Sequence, residues 1–251
     1  FYRFLIAYLG IWVISPKRPF TNNWKDELWL VAGGIFGGSL YFFTENTALG
    51  ITQASNVSFI ICTAPLLTTI LSLLFYKSEK ASKGLIYGSL LALMGVGLIV
   101  FNGSFVLKIS PIGDLLTLLA ALSWAFYSLI IKKMAGRYPT VFITRKIFFY
   151  GVLTILPAFL LHPLHPDTVV LLQPAVLFNL LFLAVLASLI CYVLWNVVLK
   201  QLGTVRASNY IYLNPLVTMI ASFLILDEKI TLVALGGAAC IVCGVYWAEK
   251  K

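Results

Sequence analysis

Two pairs of polar side chains raise the functional question: Tyr41 with Glu45, and Tyr192 with Asn196. Members of each pair are four residues apart, so on a helix they share one face. A hydroxyl, a carboxylate and a carboxamide on such faces suit a cavity that holds a small polar molecule. Trp195 borders the second stripe, Asn56 and Asn209 begin later segments, and Trp124 and Tyr127 offer aromatic faces. Glu45 is the one acid well inside an apolar stretch. A carboxyl group there suits proton carriage, because neutralising it removes a large desolvation cost. Structural roles compete with each of these: interface belts for tyrosine and tryptophan, helix capping for asparagine, headgroup contact for Glu45.

Other chemistry finds little support. The two histidines, His162 and His165, sit in a proline-rich run, and no Ser–His pair or paired aspartates can be assembled from the apolar segments. Cys62, Cys191, Cys240 and Cys243 all lie in apolar runs. The Cys240–Cys243 spacing is metal-like but has no companion ligands, so neither metal nor cofactor is expected. Glu79 and Glu228 stand beside lysines at turns, where topological or capping roles fit better than chemistry. Pro65 and Pro215 read as helix bends.

The elements that carry these residues are membrane spans. Of 251 residues, 61% are hydrophobic and only 11% charged, and the mean hydropathy is +0.97. Soluble domains carry about 25% charged residues. Nine apolar segments approach the length of about 20 residues that a span needs: residues 1–15, 28–49, 54–76, 84–101, 113–134, 139–161, 174–200, 206–226 and 230–248. None alternates with period two, so no barrel is expected. Fifteen of the 18 lysines and arginines fall on one side of the resulting topology. That side is cytoplasmic by the positive-inside rule, which puts the C-terminus inside. The net charge of +9 is therefore a topology signal, and nucleic acid is not an expected partner. A small-molecule solute and membrane lipid are, and a homodimer is left open. The expected location is a bacterial plasma membrane.

The chain also repeats itself. Glu79-Lys80, Gly88 and Gly95-Val96 recur as Glu228-Lys229, Gly237 and Gly244-Val245, all at one offset of 149. Ala54-Ser55-Asn56 recurs as Ala207-Ser208-Asn209, and Pro65 as Pro215. Gly37, Tyr41 and Glu45 match the spacing of Ser188, Tyr192 and Asn196, and Arg3 matches Arg145. The first four segments thus pair with the last four, leaving segment 113–134 without a counterpart. Ten spans are expected in the whole protein, nine of them visible here, with an upstream helix preceding Phe1. Five spans per repeat is odd, so the two repeats are inverted, a plan frequent in secondary transporters.

With Gly113-Asp114 and Ala121-Leu122-Ser123-Trp124-Ala125, these duplicated motifs resemble the EamA-like branch of the drug/metabolite transporter superfamily. The resemblance implies an all-α polytopic bundle of two inverted five-helix repeats, the first spanning 1–101 without its first helix and the second 113–248. It also implies secondary-active transport or exchange of small metabolites, amino acids or drug-like compounds among them, rather than catalysis. A membrane sensor or scaffold is the alternative. On this reading Tyr41, Asn56, Trp124, Tyr127, Tyr192, Trp195, Asn196 and Asn209 are the substrate-binding candidates, and Glu45 the proton-coupling one.

Overall fold

The computed structural model describes residues 1–14, 16, 21, 23–76, 82–101, 110–161, 168–226 and 230–250. The turns carrying Glu79, Lys80, Glu228 and Lys229, and the two histidines, lie outside them. The described residues are helical almost throughout, without strands. In order they form α1 (Tyr2–Ile14), α2 (Trp24–Gly34), a π-helical segment (Ile35–Ser39), α3 (Leu40–Ile51), α4 (Ala54–Ile61), α5 (Ala64–Phe75), α6 (Lys83–Phe101) and α7 (Pro111–Ala135). Then come α8 (Thr140–Ile155), α9 (Ala158–Leu161), α10 (Thr168–Leu171), α11 (Pro174–Leu181), a second π segment (Phe182–Ile190) and α12 (Cys191–Leu202). The chain closes with α13 (Thr204–Asn209), a 3-10 turn (Tyr210–Leu213), α14 (Asn214–Leu226) and α15 (Leu232–Glu249).

Seven of the resulting helical stretches are long and apolar enough to cross a membrane, and α1 is a shorter apolar helix. The fold is that of a polytopic helical membrane protein. At 13 residues, α1 is shorter than the expected segment 1–15. The helix through α2 and α3 begins earlier than expected, at Trp24, because the Asn23 side chain caps it by accepting from Lys25 N at 3.0 Å. Expected segment 139–161 is divided, α8 ending two residues before Pro157.

The interruptions recur at matching places. Stretch 54–75 breaks at Cys62 and Thr63, just ahead of Pro65, and stretch 204–225 passes through its 3-10 turn just ahead of Pro215. Neither proline has an N–H to return to the carbonyl four residues back, at Ile61 or Ile211. The π segments fall on the paired positions Gly37 and Ser188. Between α12 and α13, Gly203 adopts φ 81° and ψ 163°, a conformation essentially confined to glycine.

The chain divides into two compact units whose boundaries fall inside α3 and α7. The first comprises Phe1–Tyr41 and Ile130–Gln201; the second comprises Phe42–Leu129 and Leu202–Lys251. Each unit therefore draws on both sequence repeats.

In the first unit, small residues of α2 and the π segment meet α8 and α1. A Cβ on Gly34 would lie 2.9 Å from Gly151 N, and one on Gly38 would meet the Phe4 ring at 2.9 Å. Phe4, Phe148 and Tyr192 form an aromatic cluster with centroids 5.0 to 5.7 Å apart.

In the second unit, α6 and α15 make a seam of direct backbone contact. A Cβ on Gly95 would lie 2.8 Å from Ile241 N, and one on Gly244 would lie 2.6 Å from Ala92 N. Early residue Gly88 faces late residue Gly244, and late Gly95 faces early Gly237, so the helices are antiparallel. These are the glycines paired by the internal repeat. Equivalent helices running in opposite directions are what inversion requires.

Candidate functional site

The second unit contains a cavity of about 460 Å³ lined by Glu45, Leu49, Ala54, Ser55, Val57, Ser58, Ile61, Cys62, Ile99, Val100, Asn214, Pro215, Thr218, Met219, Ile230 and Ala234. The wall combines the end of α3, the whole of α4, the end of α6, the start of α14 and the start of α15. It lies toward the ends of these helices away from Lys83 and Lys250, which puts it on the expected outer side. The walls are mainly aliphatic, and the polar atoms come from one carboxylate, one carboxamide and three hydroxyls. Such a mixture suits a small solute with an apolar body and a few polar groups. Glu45, half-buried, is the single charged group in this wall among the described residues.

Of the expected site residues, Glu45 and Pro215 line this cavity. Asn56 is buried on α4, but its neighbours Ser55, Val57 and Ser58 are the ones in the wall. Trp124 and Tyr127 lie together on α7 with ring centroids 5.1 Å apart, Tyr127 fully buried. Asn209 is also fully buried, and its Oδ1 accepts a hydrogen bond from Ser89 Oγ at 3.3 Å.

The remaining substrate-binding candidates belong to the first unit, where polar side chains bond to groups on other helices. The Tyr192 hydroxyl donates to Gly37 O at 2.7 Å, and Asn196 Nδ2 donates to Thr144 Oγ1 at 2.9 Å. Arg3 donates to Ser188 Oγ and, at 3.3 Å, to Ala187 O. Each π segment thus offers a carbonyl to a side chain of another helix. Wider helical turns misalign backbone bonding and leave room for such donors. Tyr41 and Trp195 are half-buried.

Sequence reasoning passed over a charge network in the same unit. Glu27 pairs with Lys146 and accepts from the Tyr150 hydroxyl and from Thr21 Oγ1. Beside it, Arg137 bonds Asp26 at 2.5 Å, and the Tyr138 hydroxyl donates to the same carboxylate at 3.0 Å. Asp26 and Lys146 are almost fully buried. Glu27 precedes the apolar stretch 28–49. Burial alone would raise its pKa, but the bond from Lys146, followed by those from Thr21 and Tyr150, holds it down at about 2. Adjacent acids in a helix's first turn, followed downstream by Arg137 and Lys146, were the available signal. Their pairing depends on contacts more than 100 residues apart.

Known proteins agree with this architecture. The profile of the EamA-like transporter family matches residues 1–101 and 111–248. An uncharacterized transporter of Archaeoglobus fulgidus is 30% identical, with the alignment covering all of this chain and 86% of that protein. A probable amino-acid metabolite efflux pump of Salmonella typhimurium is 26% identical across 96% of this chain and 81% of its own length. A solved crystal structure superimposes with a TM-score of 0.77 at 19% identity, covering 99% of this chain and 85% of that one, and shows the shared fold. Duplicated glycine and proline motifs, the antiparallel seam they build and the match across both repeats lead to one conclusion: this chain belongs to the EamA-like transporter family.

Proposed function

We propose that this protein is a secondary-active exporter or exchanger of small amine-bearing metabolites, with Glu45 coupling transport to protons. The observation that carries the reading is the Glu45 carboxylate, the single one among the described residues of a largely aliphatic cavity wall. An ionised carboxylate in such surroundings gains from either a proton or a cationic amine, because each neutralises a charge that is costly to hold away from bulk water. The two therefore compete for one group, and a proton moving down its gradient displaces the amine. Aliphatic residues such as Leu49, Ile61 and Val100 would hold the body of the solute. The efflux-pump name of the Salmonella relative supports export, and the charge asymmetry supports a plasma-membrane orientation with the C-terminus in the cytoplasm.

The test is uptake by proteoliposomes under an imposed pH gradient, screened with aliphatic amino acids and the corresponding amines. Wild type should move at least one such compound faster with the gradient than without it. Glu45→Gln should make its rate independent of pH. A pH dependence that survives in Glu45→Gln would remove Glu45 from the coupling step.

A further inference from the structure

Below the cavity, the second unit holds a cluster of polar side chains with unmet hydrogen-bonding capacity. Asn209 ends α13 and Tyr212 lies in the 3-10 turn that follows. At three residues per turn these two side chains fall on the same side. Both are fully buried. Ser89, on α6 and also buried, donates to Asn209 Oδ1. Asn209 Nδ2 has no partner. Tyr212 reaches toward the same serine, yet its hydroxyl makes no hydrogen bond of normal geometry. Two donors are thus left without acceptors in the interior of a membrane protein, where no bulk water replaces them.

The wall between this cluster and the cavity contains Cys62. That residue lines the cavity and also packs with Tyr212 in the core formed by Ala92, Val96 and Ile241. It stands at the interruption between α4 and α5, and Tyr212 stands within the interruption between α13 and α14. The two breaks therefore meet at the partition. A break in a helix concentrates backbone adjustment at one place.

We propose that Asn209, Ser89 and Tyr212 form a closed acceptor-binding subsite behind Cys62, which takes the carboxyl or carbonyl oxygen of a solute whose amine faces Glu45. The chemistry follows from the groups present. The cluster offers an amide N–H and a phenolic O–H and carries no cation, so it selects an oxygen acceptor. The cavity offers a carboxylate, so it selects an amine. Together they describe a compact solute with an apolar body and opposite polar ends. This inference rests on the assignment of the solute to the Glu45 cavity.

Binding of leucine and of 3-methylbutylamine to the full chain in nanodiscs, measured calorimetrically, tests it. The two probes share alkyl group and amine and differ only in the carboxylate. Wild type should prefer leucine. Tyr212→Phe and Asn209→Leu should weaken leucine about 10-fold, the effect of one lost buried hydrogen bond, while leaving the amine unchanged. Tyr212→Phe removes a single oxygen and keeps the test available if Asn209→Leu fails to fold. Absence of a wild-type preference, an unchanged preference in Tyr212→Phe, or equal weakening of both probes overturns the subsite and assigns the cluster to structure or water. Glu45→Gln should weaken both probes. If both bind Glu45→Gln as they bind wild type, the cavity reading fails whatever the subsite does, and if neither binds wild type both ideas fail.

Discussion

The two units treat polar groups in opposite ways. In the first, acids, bases, hydroxyls and amides are joined to one another: Glu27 with Lys146, Asp26 with Arg137, Asn196 with Thr144, Tyr192 with Gly37. In the second, α6 and α15 pack closely through paired glycines. Several of its buried hydroxyls, such as Thr68 and Thr117, bond the carbonyl one turn back, but the cluster behind Cys62 leaves Asn209 Nδ2 without a partner. Polar groups bonded to one another are structural cement. Those whose capacity is unmet are available to a ligand. An intramembrane polar residue is thus a functional candidate only after its partners have been counted.

The glycine seam gives the sharpest way to break that contrast. Gly95→Leu inserts a side chain where even a Cβ would lie 2.8 Å from Ile241 N. The helices would have to separate, and we expect a loss above about 4 kcal/mol, seen as disappearance of the monodisperse peak in size-exclusion chromatography. Gly236→Leu, on the same α15 but facing open space, is the matched control and should elute as wild type. Equal behaviour of the two variants would show that the seam does not hold the second unit together.

A smaller effect is expected in the charge network of the first unit. Lys146→Met leaves Glu27 without its ionic partner and should cost about 3 kcal/mol, the low end for breaking a buried pair, because Glu27 keeps 20% of its side chain exposed. Thermal unfolding should show part of that loss restored by adding Glu27→Gln. The sign of the pH dependence follows from the lowered pKa. Glu27's contribution is present above its ordinary value of 4.5 and disappears as the pH falls toward 2, and Glu27→Gln should flatten that slope. No restoration in the double variant would mean that the pair is not coupled.

The smallest effect separates cement from ligand site most directly. Tyr192→Phe removes one hydrogen bond to Gly37 O and should cost about 1 kcal/mol of stability. Solute affinity should stay within about 2-fold of wild type. A 10-fold loss of affinity would return Tyr192 to the solute site and erase the distinction between the units.

Much was legible in the sequence. Each span is a run of apolar residues long enough to be recognised locally, and glycine and proline mark backbone requirements that hold wherever the chain packs. Glu45 was found because a carboxylate stands out in an apolar run, and it does line the cavity. Tyr192 and Asn196 were found by the same periodicity, yet their partners are Gly37 and Thr144. Helical spacing reports which face a side chain occupies but not what that face meets. Ser89, Tyr212 and Cys62 carried no sequence signal, since serine, tyrosine and cysteine are ordinary in a membrane helix.

Sequence by itself thus determined the class of protein, the approximate span boundaries, the duplication and the family resemblance, because hydropathy and backbone-specific residues act over a single turn or a single helix. Tertiary structure alone decided which polar groups are satisfied. A hydrogen bond between residues 120 or 155 positions apart exists only once the helices have packed, and that packing left Asn209 Nδ2 without a partner while it joined Tyr192 to Gly37.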